Sequence, residues 1–530
     1  MKNIIFTKLS LAIFALTFIT SCTKDLNQKP LNDITADVAY SSLAGYKQVL
    51  AKVYGSFGLT GNTGSGSSDL GGIDPGFSDF LRLYWNLQEL TSDEAGCAWN
   101  DPGIPELNFQ TWTSENLLNR GLYTRSLFQI TIANEFLRES TDEKLASRGI
   151  IGNDAAEIKK FRAESRFLRA YQYWVLMDMY GNPAFITEND EVGKVFPKQI
   201  QRAELFKYVE SELLAIEADL AAPKTNEYGR ADKAAAWALL ARLYLNAEIY
   251  LGTGNAKYTQ AITYANKVLT SSYSLMPKYQ NLFLADNNVN NPEVILSINY
   301  DGIRSQNYGG TTFIINSSTN PGAIDKVTLG IPNGGWVGNR MKQNIPLLFE
   351  DRSGATDTRA IFYGDKLTMD NMGSFTDGLA TSKFRNVTSS GAAGGSNDGT
   401  LVSTDFPLMR LAEMNLTYAE AVKRGGSGGS EAQAITYFNA LRTRAYGNAS
   451  KNVTSISLQD ILDEYGREFY WEARRRTDLI RFDKYTSDSY LWPFKGGVKA
   501  GKGTESFRKL FPIPSADIIS NPNLKQNPGY

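Results

Sequence analysis

A mainly α-helical fold, helix pairs forming a scaffold with a loop-rich insert of short strands, is predicted by three observations on this 530-residue chain. Apolar residues recur at three- and four-residue intervals in several long segments, as one buried helix face requires. Glycine and proline stand where those segments end, and both stop helices. Residues 277–405, between two such blocks, are instead rich in Gly, Asn, Ser and Thr, which predicts short strands and long loops.

The elements follow in order. Residues 1–22 read MKNIIFTKLSLAIFALTFITSC, with Lys2 and Lys8 ahead of an apolar run from Leu9 to Ile19. This is a secretory signal, too short to span a bilayer in the mature protein. It ends Ile19-Thr20-Ser21-Cys22, which resembles a bacterial lipobox, so residues 1–21 are expected to be removed and Cys22 acylated. Several acyl chains at about 0.8 kcal/mol per buried CH₂ would hold the protein on a membrane. Cys97 is then the remaining cysteine, so no internal disulfide is expected. Residues 22–40 form a polar, proline-containing tether.

A helix is predicted over 159–180, with Phe161, Phe167, Leu168, Tyr171, Trp174, Val175 and Met179 on one face and Gly181 and Pro183 ending it. Another spans 203–220 with Leu205, Val209, Leu213, Ile216 and Leu220 as its stripe. A third runs from Ala231 to Leu251, where Ala234, Ala238 and Ala241 permit close helix approach and Gly252 supplies the cap. A fourth carries Tyr258, Ala261, Ala265 and Val268. Helix pairs return at 408–424 with 431–446, joined by a flexible GGSGGS, and at 457–484. These alternating helices resemble tetratricopeptide pairs with looser spacing.

The chemistry is bounded mostly by what is missing. Histidine is absent, which removes Ser-His-Asp and Cys-His arrangements, HExxH and every His-based metal site. No cofactor or metal is implied. A formal charge of −1 gives no case for nucleic acid, which needs a basic face. Asp93-Glu94 is no glycosidase pair, because adjacent residues do not face each other across a sugar; the pair is expected to fix a loop. Arg474 to Arg476 are expected to be structural, with Glu472 at i−4 from Arg476 and Glu464, Glu468 and Asp478 nearby. The glycine loops at 61–68 and 252–257 lack the spacing of a nucleotide site.

Aromatics make up 12% of the chain, with 27 Tyr and 8 Trp, more than a core requires. Trp99 in CAWNDPG, Tyr308 in QNYGG and Trp336 in NGGWVGN sit among turn-forming residues and are expected at the surface. Such rings stack on the C–H face of sugars, with polar neighbours such as Arg82 and Asn100 bonding the hydroxyls.

The segments ELTSDEA, FRAESRFLRAYQYWVLMDMYG, GRADKAAAWALLARLYLNAEIY, FPLMRLAEMNLTYAEA, DEYGREFYWEARRRTDLIRF and LFPIPSADIISNPNLKQNPGY resemble the SusD/RagB family of Bacteroidetes surface glycan-binding lipoproteins, in particular its starch-binding members. The resemblance covers nearly the whole length and implies a SusD-like domain over 41–530. Its helical scaffold would lie near 159–272 and 406–485, and its ligand-binding loops near 60–125 and 277–405. It implies a starch site of Arg82, Trp99, Tyr308 and Trp336, with either Asn100 or Asp101 in an amide position because the loop after Trp99 is one residue shorter here. Cys97 stands where the starch-binding members have another tryptophan. It also implies a SusC-like TonB-dependent transporter as partner and no enzymatic activity. Lys24-Asp25 resembles the signal that sends lipoproteins of that phylum to the cell exterior, so an outer-membrane, outward-facing location is expected. A different ligand on the same fold, such as β-glucan, another glycan or peptide, is the alternative, and a glycoside hydrolase the second.

Overall fold

The computed structural model describes residues 35–191, 193–194, 196–320 and 322–530, so the signal segment, Cys22 and the Lys24-Asp25 pair lie outside the described residues. In chain order the principal helices are α1 (Leu43–Gly58), α2 (Phe80–Trp85), α3 (Leu117–Glu139), α4 (Gly152–Tyr180), α5 (Arg202–Ile216), α6 (Lys233–Leu245), α7 (Tyr258–Leu269), α8 (Gly310–Ser317), α9 (Leu411–Lys423), α10 (Glu431–Tyr446), α11 (Leu458–Phe469) and α12 (Arg475–Arg481). The strands are β1 (Ala95–Cys97), β2 (Ala184–Phe185), β3 (Lys198–Gln199), β4 (Val294–Ile298), β5 (Asn339–Met341), β6 (Phe362–Tyr363), β7 (Ala380–Thr381) and β8 (Phe406–Arg410). They pair as antiparallel ribbons β1–β5, β2–β3, β4–β8 and β6–β7.

The spine is α4. Phe161, Phe167, Tyr171, Trp174 and Val175 are each at most 2% exposed, and α1, α3 and α5 pack around it. Gly181 closes it at φ 72°, a left-handed value that suits glycine. The helix ladder continues through α6 on α7, α7 on α9 and α9 on α10. On α6, Ala234, Ala238 and Ala241 are at most 1% exposed, and their small side chains let the neighbouring backbones approach.

Several expectations change in the structure. The helix expected over 231–251 breaks at Asn246, whose side-chain amide donates back to the Arg242 carbonyl (2.9 Å) while its oxygen accepts from Arg481 (3.1 Å). Residues 60–125, read as ligand-binding loops, contain α2, a π-helical turn at Asn86–Leu90, a short helix at Ile104–Phe109 and the start of α3. The GGSGGS linker is held in place, because the Ser427 amide donates to Thr259 (3.0 Å) and a Cβ on Gly429 would sit 2.7 Å from Val422.

The Arg474–Arg476 stretch is structural, with Asp478 a partner as expected but Glu472 not one. The backbone leaves the helix between α11 and α12, with Trp471 at φ 69° and Ala473 at φ 57°. Glu472 therefore never reaches Arg476. It meets Arg410 and Lys383, each at 2.7 Å. Arg475 pairs with Asp93 (2.8 Å), Arg476 with Asp178 (3.3 Å) and Arg474 with Asp478 (2.9 Å). Asp93-Glu94 fixes this kink: Asp93 also accepts from the Tyr490 hydroxyl (2.6 Å), and Glu94 accepts from the Trp471 amide (2.8 Å). Burial and the facing Glu89 carboxyl hold Glu94 well above the usual carboxylate range, and burial pushes Glu89 to about 7. Two buried carboxyls side by side retain a proton, as like charges in a low dielectric demand.

Candidate glycan-binding site

Four segments from two distant stretches of the chain converge on one surface. They are α2 with Arg82, the loop after β1 with Trp99, the loop before α8 with Tyr308, and the loop before β5 with Trp336.

Asp79 organises this convergence. As the N-cap of α2 it accepts from the Arg82 amide (2.7 Å), and it also accepts from the Asn307 side chain (2.6 Å) and the Gly310 amide (2.9 Å). One carboxylate thus joins the start of α2 to the start of α8 and pins Tyr308 between Asn307 and Gly309. Position 309 must be glycine, since a Cβ there would lie 2.1 Å from the Cβ of Asp79. Burial raises the Asp79 pKa, opposed by the hydrogen bonds it accepts.

The β1–β5 ribbon sets the other half. Cys97 pairs with Asn339, and the Ala98 amide donates to the Gly338 carbonyl (2.9 Å). Trp99 then lies against Gly338, where a Cβ would come within 2.4 Å of the indole nitrogen. The loop carrying Trp336 is tied to α8: the Gly335 amide donates to the Asn316 side chain (2.8 Å) and the Val337 amide to the Asn316 carbonyl (3.1 Å). Val337 sits at φ 60°, a left-handed value that a β-branched residue adopts only where surrounding contacts impose it.

The rings form two tilted pairs. Tyr308 and Trp336 have centroids 6.2 Å apart at 54°, and Trp99 and Phe313 have centroids 6.0 Å apart at 59°. Tyr308 is 37% exposed. Trp99 and Trp336 are half-buried and packed against the core, so the expectation of simple surface presentation is corrected: each shows part of its ring and anchors the rest. Arg82 is 6% exposed. Its guanidinium lies 3.7 Å from the Phe77 centroid, 4.5 Å from Phe313 and 5.7 Å from Trp99. It makes no hydrogen bond or ion pair with another described residue, its Nε is buried without a partner, and burial lowers its pKa to about 10.

Asn100 and Asp101 are both exposed, and neither side chain is hydrogen-bonded to another described residue. The Cys97 side chain points inward at 1% exposure, its thiol pushed up to about 12 by burial, and its backbone exchanges two hydrogen bonds with Asn108 (3.0 and 2.8 Å). No sugar platform stands at that position here. Phe77, Asp79 and Phe313 belong to this cluster and were missed by the sequence reading. The only local cue was the Asp-Pro-Gly turn ahead of Phe77. A cavity of about 260 Å³ behind α1, lined by Tyr54, Phe57, Leu296 and Ile298, contains none of the expected site residues.

Residues 356–530 match the model of the SusD family, and residues 91–245 match one described as starch-binding, associating with the outer membrane. The starch-binding protein SusD of Bacteroides thetaiotaomicron is 36% identical over 562 aligned positions, covering 97% of this chain and 96% of that protein. This chain belongs to the SusD family. A SusD-like protein of Bacteroides ovatus is 27% identical, covering 81% of this chain and 84% of its own. Among solved structures of the family fold, surface glycan-binding protein A from Bacteroides fluxus superposes with a TM-score of 0.69 at 21% identity, covering 92% of this chain and 99% of its own. The same protein from Bacteroides thetaiotaomicron, solved in complex with laminarihexaose, gives 0.69 at 20% identity, covering 91% of this chain and 99% of its own.

Proposed function

We propose that this protein captures starch-type α-glucans and malto-oligosaccharides at the cell surface and passes them to a SusC-like TonB-dependent transporter, without chemistry of its own. The observation that carries the reading is the convergence of Trp99, Tyr308 and Trp336 beside a guanidinium that meets ring faces but makes no hydrogen bond or ion pair with any described residue. Tilted ring pairs suit a curved chain better than a flat one, since successive sugars can each meet a ring face. Arg82 supplies a rigid fork of donors for neighbouring hydroxyls, and either Asn100 or Asp101 adds a further polar contact from the exposed rim. The starch-binding relative supports the choice of ligand by its identity over nearly the whole chain. Cys22 is the proposed lipid anchor, holding the domain on the outer face of the outer membrane.

A second reading, β-glucan on the same surface, is favoured by the structural neighbours named for laminarin. Native gels containing amylopectin or laminarin separate the two. Retardation by amylopectin that is lost on Trp336→Ala supports the α-glucan reading, and retardation by laminarin alone overturns it. Reducing sugar released from starch by purified protein would point to a hydrolase instead; none is expected.

A further inference from the structure

We propose that Phe77 is a positioning residue of this site: its ring holds the Arg82 guanidinium flat and unpaired, with its donor fork turned to the ligand. The inference rests on the glycan-site reading above and extends it to a residue outside the expected set.

An arginine at 6% exposure normally meets a carboxylate, because burying an unpaired charge is costly. Arg359, Arg410 and Arg475 follow that rule, each pairing with an acidic group at 2.8 Å or less. Arg340, fully buried, has no such ion pair among the described residues but donates to the Met372 carbonyl (3.1 Å). Arg82 has neither an ion pair nor a side-chain hydrogen bond among the described residues. Asp74, Asp79 and Asp101 act on it only through space. Aromatic faces take the place of the anion. Phe313, 1% exposed, lies on the core side at 4.5 Å, and the half-buried Phe77 lies at 3.7 Å. A cation between two ring faces is stabilised by their quadrupoles while its in-plane N–H groups stay free. That leaves the charge held without consuming its hydrogen-bond donors.

Phe77 is itself fixed. The Asp74 carboxylate accepts from the Gly76 amide (2.9 Å) and the Phe77 amide (3.3 Å), and the Ser78 hydroxyl donates to the Pro75 carbonyl (2.8 Å). The turn also abuts the sugar-facing ring, since a Cβ on Gly76 would lie 3.2 Å from Tyr308 Cβ and 3.3 Å from Arg82 Nη1. Removing the Phe77 ring face should therefore let the guanidinium swing, at little cost to the fold. A ring of another kind should keep it in place.

The test is a double-mutant cycle on full-length mature protein, read by calorimetric binding of maltoheptaose and by the Arg82 Nε–H resonance of arginine-labelled protein. Phe77→Leu should weaken binding about 5-fold, within the range of a partly desolvated cation–π contact. Phe77→Tyr should restore it, and Phe77→Leu should add nothing in an Arg82→Met background. The Arg82 resonance should be shifted upfield by the two rings in wild type and Phe77→Tyr, and should lose the larger, Phe77 share of that shift in Phe77→Leu. Equal weakening with and without Arg82, or an unchanged Arg82 resonance in Phe77→Leu, overturns the proposal. If wild type binds no maltoheptaose yet the resonance still responds to Phe77→Leu, the positioning role stands and the α-glucan reading fails.

Discussion

Replacing Trp99 by alanine separates ligand contact from packing. The indole has two jobs in the structure: part of it faces the site, and part lies against Gly338 and Phe313. A fully buried Trp→Ala change costs about 3–5 kcal/mol, so a half-buried ring should cost about 2 kcal/mol. The melting temperature reports this weakly. At roughly 2.1 cal/mol/K per residue, a folded region of about 500 residues has an unfolding entropy of about 1 kcal/mol/K, so the loss is about 2 °C. Affinity reports it strongly, because one stacking face contributes about 1–1.5 kcal/mol beyond burial and its loss lowers single-site affinity about 10-fold. On amylopectin, where many sites engage one polymer, the loss multiplies and gel retention should vanish. The assay is paired: thermal denaturation, calorimetry with maltoheptaose, and an amylopectin gel. A variant that melts within about 3 °C of wild type and is retained normally refutes Trp99 as a sugar platform. A collapse of the fold shows that the ring is core and that its exposed edge is incidental.

Three further perturbations test other parts of the structure. Arg475→Glu sets two carboxylates against each other in place of a buried pair with Asp93 (2.8 Å); a cost of about 3–5 kcal/mol should lower the melting temperature by several degrees while affinity, measured well below the transition, is unchanged, and the reverse pattern would make this arginine a ligand group. Asp405 is held at about 7 by burial, so its protonated form is favoured by folding: stability is full below the ordinary carboxylate range, falls as pH rises from about 4 to 7, and levels off above, a change of at most about 4 kcal/mol. Asp405→Asn can still accept from the Tyr300 amide (2.8 Å), so it should raise the melting temperature at pH 8 and flatten its pH dependence, and no flattening would show that Asp405 titrates normally. Cys22→Ala should abolish palmitate-analogue labelling and membrane retention, and unchanged fractionation would remove the lipid anchor.

The limits of the sequence reading have a physical cause. Helices α4, α5 and α7 were legible because their apolar stripes and end signals are local. The stripe of α1, Tyr46, Leu50, Val53 and Phe57, has the same spacing, and Gly45 and Gly55 argue against helix only by propensity, which packing overrides. In α3 the stripe itself is interrupted: Arg125 and Gln129 are buried, donating to the Ser78 carbonyl (2.8 Å) and the Ser56 carbonyl (2.9 Å). Polar residues that read as a solvent face are there satisfied by backbone from other segments.

The same distinction governs the site. Trp99, Tyr308 and Trp336 could be singled out because each is flanked by turn-forming residues within a few positions. Asp79 could not, because its partners Asn307 and Gly310 lie 228 and 231 residues away. The kink after α11 was invisible for the same reason, being fixed by Glu94 and Glu89 from 377 and 385 residues away. Phe77 is the intermediate case. Its turn is local, yet what distinguishes its ring is the neighbouring arginine, whose lack of a carboxylate partner among the described residues depends on the whole fold. A buried charge left without a counter-ion appears only once every other contact is in place, and in our proposal the free donors of Arg82, set beside exposed ring faces, are where a ligand's hydroxyls would fit.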